Sequence, residues 1–249
     1  MSTPTADFLL IDNSNSFTKF ALSVKGKIGQ VRKLRTAELD GASIKNALHS
    51  WSWDRAILSS VVPAKGEVIA DFLSPAPVLQ VSAKVKLGVG IDYPQPKTIG
   101  ADRLANAAGA FAEFGAPIIV VDFGTAVSFD IVSAAGNYVG GVIAPGLEAM
   151  TDYLHQRTAL LPKISLLEPP SAIGKSTKDA MLAGAVYGYR GLVRQILQEI
   201  GKELGITKKL PVVATGGYAE LIAAGLPEIK KVQPELTLEG LRVVGELNR

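Results

Sequence analysis

Two segments of the chain end an apolar run in an aspartate. In FLLIDNSNSFTKFALS (Phe8 to Ser23) and IIVVDFGTAVSFDIVS (Ile118 to Ser133), Asp12 and Asp122 occupy the same place in the pattern, 110 positions apart. A carboxylate at a strand end can hold a metal ion, while the N–H groups and hydroxyls of the following turn cradle phosphate oxygens. One such Asp more often just caps its turn, but a gapless second copy favours two devices clamping one nucleotide. In the second copy Gly124 lets backbone approach a ligand without Cβ hindrance, and Thr125 supplies a hydroxyl donor. A third turn, Ala214-Thr215-Gly216-Gly217, follows an apolar run and precedes helical sequence near Tyr218, an arrangement that suits an anion at a helix N-terminus.

The elements that must position these residues follow from the same repeat. Each copy reads as strand, tight turn, strand. A third strand is expected at 138–143 after the Gly136-Asn137 turn, with a counterpart at 27–34. The remaining pattern predicts a strand at 56–62, a helix at 103–114, a helix at 178–204 and a strand at 211–215. Two similar α/β lobes result. Ser176 to Asp179 predicts a capping box at the start of the long helix. Ala180, Gly184, Gly188 and Gly191 share one face of that helix. Glycine costs a helix about 1 kcal/mol relative to alanine, so the stripe predicts close approach of another backbone, either the lobe's own sheet or a second subunit.

Of 249 residues, 47% are hydrophobic and 20% charged, as expected of a folded globular protein. No run reaches the ~18 apolar residues of a membrane span, and Phe8 to Ile11 reads as a strand rather than a signal peptide. The lack of Cys rules out thiolate metal sites, a cysteine nucleophile and disulfides. A net charge of +3 with scattered Lys and Arg argues against nucleic acid as a partner. The pairs Lys208-Lys209 and Lys230-Lys231 read as solvated surface.

Taken together, the motifs resemble the type III pantothenate kinase family, within the actin, Hsp70 and sugar-kinase superfamily. The resemblance runs along nearly the whole chain: Asp12 to Lys19, SSVVP (59–63), IDYPQPKTIGADR (91–103), DFGTA (122–126), GGVIAPGL (140–147), LHQRTALLP (154–162), STKDAMLAG (176–184) and ATGG (214–217). It implies two RNase H-like (actin-like ATPase) lobes. The expected lobes are 1–115, completed by a segment from about 236 to 249, and 116–235. It further implies a cytoplasmic homodimeric enzyme that phosphorylates pantothenate with ATP.

Site roles follow from that resemblance. The first phosphate motif falls on Asp12, Asn13, Ser14, Asn15, Ser16, Phe17, Thr18 and Lys19, with Asp12 the Mg²⁺ partner, directly or through water. Gly124, Thr125, Gly216 and Gly217 are similar to ATP contacts, and Asp122 to the ligand of a monovalent cation, K⁺ or NH₄⁺. Asp102 resembles the base that accepts the acceptor's proton. With a pKa near 4 it is a weak base, in a reaction where that proton can leave late. Arg103 beside it is suited to a carboxylate or to developing charge. Tyr93, Gly100, Ala101, Asp102 and Arg103 match the pantothenate pocket, as does Thr177, which the family supplies from the neighbouring subunit. Read by themselves, Asp102 and Arg103 could be a helix N-cap and a first-turn salt bridge.

One departure stands out. The family usually has Gly at the position of Ser14, aligned with Gly124, and a turn needing positive φ would strain Ser by roughly 1–2 kcal/mol. IGKST (173–177) lacks the earlier Gly of a phosphate-binding P-loop, since that position is Pro169. GVG at 88–90 is followed by Tyr93 where a dinucleotide site needs Gly or Ala, and no G-x-S-x-G elbow occurs. His49 and His155 are too few for a histidine metal site. Two alternatives remain open: a kinase of another small alcohol, and a non-catalytic regulatory relative.

Overall fold

A computed structural model of the chain describes residues 5–206 and 210–249. The Lys208-Lys209 pair lies outside the described residues. In chain order the strands are β1 (Ala6–Asn13), β2 (Phe17–Val24), β3 (Lys27–Ile28), β4 (Arg32–Arg35), β5 (Trp53–Ser60), β6 (Val78–Gln80), β7 (Gly90–Ile91), β8 (Ile118–Phe123), β9 (Ala126–Val132), β10 (Asn137–Pro145), β11 (Val212–Thr215) and β12 (Lys231–Val232). The helices are α1 (Gly41–Ala47), α2 (Pro63–Leu73), α3 (Ala101–Phe114), α4 (Leu147–Arg157), α5 (Thr177–Glu203), α6 (Ala219–Ala223) and α7 (Leu236–Leu247). Two compact units form. The first comprises Met1–Ala116, Ala134–Val139 and Glu235–Arg249, and the second Pro117–Ser133 and Gly140–Pro234.

The first unit is built on a sheet of order β3-β2-β1-β5-β6, with β4 also on β2. Alternation along β1 sends Leu9 and Ile11 into a core with Phe20, Leu39, Ile44, Leu58 and Ile69. Fully burying each such side chain contributes about 1.5–3 kcal/mol before entropy is counted. The opposite face of β1 and β5 is covered by α7, where a Cβ on Gly245 would meet Ile57 and Phe8. The close backbone approach in this unit lies between α3 and α7. A Cβ on Gly109 would come within 2.8 Å of Leu236 O and 2.9 Å of Gly240 N. Buried Thr237 Oγ1 donates to Asn106 Oδ1 across the same crossing at 2.8 Å.

The expected strand at 56–62 runs instead from Trp53 to Ser60. Trp53 pairs with Ala6, while Val61 leaves the ladder to donate its N–H to Asn13 O, just before Pro63 opens α2. The third strand expected at 27–34 is split into β3 and β4.

In the second unit β8 pairs antiparallel with β9 and parallel with β11, and the sheet runs β12-β11-β8-β9-β10. This is the strand order of the first sheet again, a hairpin followed by two parallel strands, so the repeat in the sequence is a repeat of fold. The fold is α/β with two RNase H-like, actin-like ATPase lobes. The first two residues of β10, Asn137 and Tyr138, pair with β7 and belong to the first unit.

The long helix α5 buries Met181, Leu182, Ala185, Val186, Tyr189, Val193 and Leu197. Its cap is half of the expected box. Ser176 Oγ accepts from Asp179 N at 3.1 Å, but Asp179 Oδ2 returns to the Ser176 hydroxyl at 2.8 Å, not to its backbone. The own-sheet explanation of the small-residue stripe is overturned. Ala180, Gly184, Gly188 and Gly191 are exposed, and nothing lies within 4 Å of a Cβ built on any of the three glycines.

Candidate active site

In the first unit the strand-turn motif is built as expected. Asp12 ends β1, opposite Lys19 on β2 and Ser59 on β5, so all three residues project from one face of the sheet. Asp12 is buried, at 5% exposure, whereas Asn15, Ser16 and Phe17 at the turn's tip are exposed. Lys19 Nζ lies 3.3 Å from Glu235 Oε2, just before α7, a partner that no local motif announces.

The strain expected at Ser14 is absent. Among the described residues, only Lys25 and Ser50 take positive φ without being glycine. Ser14 Oγ donates to Asp12 Oδ1 at 2.8 Å. The aligned glycine explains why a side chain fits: Gly124 is not at positive φ, and a Cβ there would make ordinary contact with Asp122 Oδ1 at 3.6 Å. The substitution therefore gives the first aspartate a hydroxyl partner without backbone strain.

The start of α3 carries the second constellation of this unit. Gly100, not Asp102, is the N-cap, and Asp102 stands in the first turn with Oδ1 accepting from Arg103 N at 2.8 Å. Burial drives the Asp102 pKa above the ordinary carboxylate range, against the lowering effects of the Arg103 N–H and the Arg103 charge. This makes it a stronger base than its residue type implies. Gly100 is required for that pose, because a Cβ there would fall 2.5 Å from Asp102 Oδ1.

Arg103 stacks its guanidinium over Tyr138 at 5.8 Å, and Tyr93 meets the same ring edge-on at 6.1 Å between centroids. Tyr138 is fully buried. Sequence reading used it only as a strand residue, although its aromatic character beside the Gly136-Asn137 turn was the available signal. The turn at Asp12 and the start of α3 converge on Val61. Its N–H bonds Asn13 O, and its side chain lies 3.6 Å from the Cβ position of Gly100.

In the second unit Asp122 pairs with Ser128 on β9 and Thr215 on β11. Gly124 and Thr125 are exposed at the turn, which Gly146 closes by donating its N–H to Thr125 O at 3.2 Å. Gly216 takes φ 94°, and a Cβ on it would lie 2.6 Å from both Asp122 Oδ1 and the Phe123 backbone. Its lack of a side chain thus seats the second aspartate. Nothing lies within 4 Å of a Cβ built on Gly217. The helix that follows, α6, has only five residues and no side-chain cap, so its macrodipole is small. Thr177 is exposed as the first residue of α5. Asp130 is wholly buried where the first copy has Phe20, a departure from the repeat that the alignment of the two copies did not flag.

Among the described residues no group of three or more His, Cys, Asp or Glu is arranged to hold a metal. The single carboxylate of Asp12 suits a divalent cation that arrives on polyphosphate oxygens, which needs only one or two protein carboxylates.

Comparison with known proteins gives the family. The sequence model of the type III pantothenate kinase family matches residues 8–199. A type III pantothenate kinase of Akkermansia muciniphila is 50% identical over 242 residues, covering 97% of this chain and 99% of its own. One from Methylacidiphilum infernorum is 42% identical over 240 residues, covering 96% and 88%. Among solved structures, component A of (R)-2-hydroxyglutaryl-CoA dehydratase from Acidaminococcus fermentans superposes with a TM-score of 0.55 at 12% identity, covering 98% of each chain. The ethanolamine utilization protein EutJ from Carboxydothermus hydrogenoformans gives 0.55 at 16% identity, covering 98% of this chain and 91% of its own. At such identities the likeness establishes the shared fold.

Proposed function

The chain belongs to the type III pantothenate kinase family, and from that premise we propose that it transfers the γ-phosphoryl group of ATP to the primary hydroxyl of pantothenate. The products are 4'-phosphopantothenate and ADP, and the reaction opens coenzyme A synthesis. The observation that carries this reading is Asp102: a half-buried carboxylate with a raised pKa, held at the start of α3 beside Arg103, whose guanidinium shares the Tyr138 ring with Tyr93.

In the proposed reaction the Asp102 carboxylate accepts the proton of the pantothenate hydroxyl as that oxygen bonds the γ-phosphorus, and the bond to the β-phosphate oxygen breaks. Positioning and charge neutralisation supply most of the acceleration in such transfers. Arg103, stacked on the Tyr138 face, serves the pantothenate carboxylate in this reading, with Tyr93 and Gly100 lining the acceptor's place. The turn from Asp12 to Lys19, including Asn15 and Ser16, receives phosphate oxygens, as do Gly124, Thr125 and the Gly216-Gly217 turn. Asp12 would hold Mg²⁺, directly or through water, and Asp122 a K⁺ or NH₄⁺ ion. Bound there, the cations neutralise phosphate charge.

The working form in this reading is a cytoplasmic homodimer in which Thr177 serves the partner's acceptor site. Supporting it, the exposed glycine stripe of α5 adjoins exposed Tyr187, and α4 leaves Met150, Tyr153 and Leu154 uncovered. Solution mass measured at assay concentration tests the dimer, and a fully active monomer contradicts it. ATP consumption with and without pantothenate, in potassium against sodium buffer, tests the reaction. Pantothenate-dependent, potassium-stimulated turnover is expected. A requirement for a sugar, or no turnover with any alcohol, would replace this reading.

A further inference from the structure

A buried chain of hydrogen bonds runs through the first unit to the turn after Asp12, and its polarity is fixed by its last member. Thr36 Oγ1 donates to Ser14 O at 2.6 Å, which uses its single proton. The 3.0 Å contact between the Thr18 and Thr36 hydroxyls is therefore donated by Thr18. Thr18 in turn accepts from Asn13 Nδ2 at 2.8 Å, and Asn13 Oδ1 accepts from Ser60 Oγ at 2.7 Å. Asn13, Thr18 and Thr36 are each at most 2% exposed. Gly66 makes room for the first donor, since a Cβ there would stand 2.7 Å from Ser60 Oγ.

Thr36 holds the turn twice. Besides the hydroxyl bond to Ser14 O, its N–H donates to Ser16 O at 3.1 Å. In a planar trans peptide the carbonyl and the next N–H point in opposite directions. With Ser14 O drawn inward to Thr36, the N–H of Asn15 is turned outward at the exposed tip.

We propose that Thr36, fed by the Ser60–Asn13–Thr18 relay, is a positioning residue that presents the Asn15 N–H of the first turn to the phosphates of ATP. This rests on the phosphate-binding reading of that turn given above. The relay is fully satisfied and unidirectional, and such chains polarise each bond in turn and specify one geometry.

Thr36→Val keeps the shape of the side chain but strips the hydroxyl, leaving the Ser14 carbonyl and the Thr18 proton without their partner. The expected result is a KM for ATP raised roughly ten-fold or more, an unchanged KM for pantothenate, and faster amide exchange across residues 14–17. Thr36→Ser should restore both the KM for ATP and the amide exchange. A purely structural role would lower the melting temperature of Thr36→Val yet leave the folded protein's KM for ATP unmoved, and that result overturns the proposal. If Thr36→Val does not fold, Ser60→Ala removes the relay's first donor. A smaller rise in KM for ATP then supports the proposal, and an unchanged value overturns it. Failure of the underlying reading is separately visible, because the unaltered protein would then show no pantothenate-dependent turnover. In that event the phosphate role falls with it, whatever the exchange data show.

Discussion

Gly100→Ala isolates the orientation of one carboxylate from everything else. Gly100 sits at φ −58° and ψ 142°, backbone angles that alanine adopts freely, so the change stores no backbone strain. The new Cβ would meet Val61 at 3.6 Å and Arg103 at 3.7 Å, both ordinary contacts, but Asp102 Oδ1 at 2.5 Å. Only the carboxylate is forced to move, by the better part of an ångström. A misplacement of ~1 Å in a reacting group can cost about 100-fold. Turnover should fall by roughly that factor, while stability changes by under ~1 kcal/mol, a shift of about 2–4 °C in melting temperature. Displacement also takes Oδ1 from the Arg103 N–H, a bond that lowers the Asp102 pKa. The acidic limb of the turnover profile should therefore move to higher pH. Steady-state kinetics from pH 4 to 8, beside a thermal melt, decides the matter. Near-normal turnover with an unmoved limb would refute the assignment of Asp102 as base.

Further expectations concern Asp102, Ser14 and Arg190. For Asp102→Asn, turnover should fall about 10²–10⁴-fold. Burial raises the Asp102 pKa, so its contribution to stability is present at low pH and is lost as pH rises through the raised value. The neutral amide should consequently melt no lower than the parent protein at pH 7, and a large loss of stability would contradict the sign. Ser14→Gly removes the hydroxyl bond to Asp12 and relieves no positive φ, so it should cost about 0.5–1.5 kcal/mol and weaken Mg·ATP binding by calorimetry. Buried Arg190 donates to both Glu168 oxygens at 2.8 and 2.6 Å and to the carbonyls of Leu221 and Ile222. Arg190→Met should cost about 2–3 kcal/mol in urea unfolding. Glu168→Gln, altering the exposed partner, should cost under ~1 kcal/mol.

The parts of the fold that could be read from the sequence are those whose signal is local. Four buried residues running into Asp12 and into Asp122 read as strands from local sequence alone, and both aspartates stand near strand ends in equivalent registers. Ser176 capped α5 as its spacing suggested. The readings that failed depend on partners far along the chain. The glycines of α5 do not pack on their own lobe's sheet, and the helix crossing within the chain that needs glycine joins Gly109 to Gly240, which no periodicity links. Ser14 looked strained because glycine at that position suggested positive φ, whereas its geometry is ordinary and its hydroxyl has a use. Thr36 gave no signal, and Ser60 only as part of the SSVVP motif, since a hydroxyl's partner is invisible until the sheet brings Asn13 and Thr18 together.

The crossing of α3 and α7 also sets an order of events during synthesis on the ribosome. Strand β1 emerges well before α7, yet α7 (residues 236–247) packs over one of its faces, with nearly all of the second unit translated in between. The nascent first unit must therefore carry an uncovered apolar sheet face, Phe8 and Ile57 included, until those late residues arrive. Of the two units, the one whose translation begins earlier is also the one completed later.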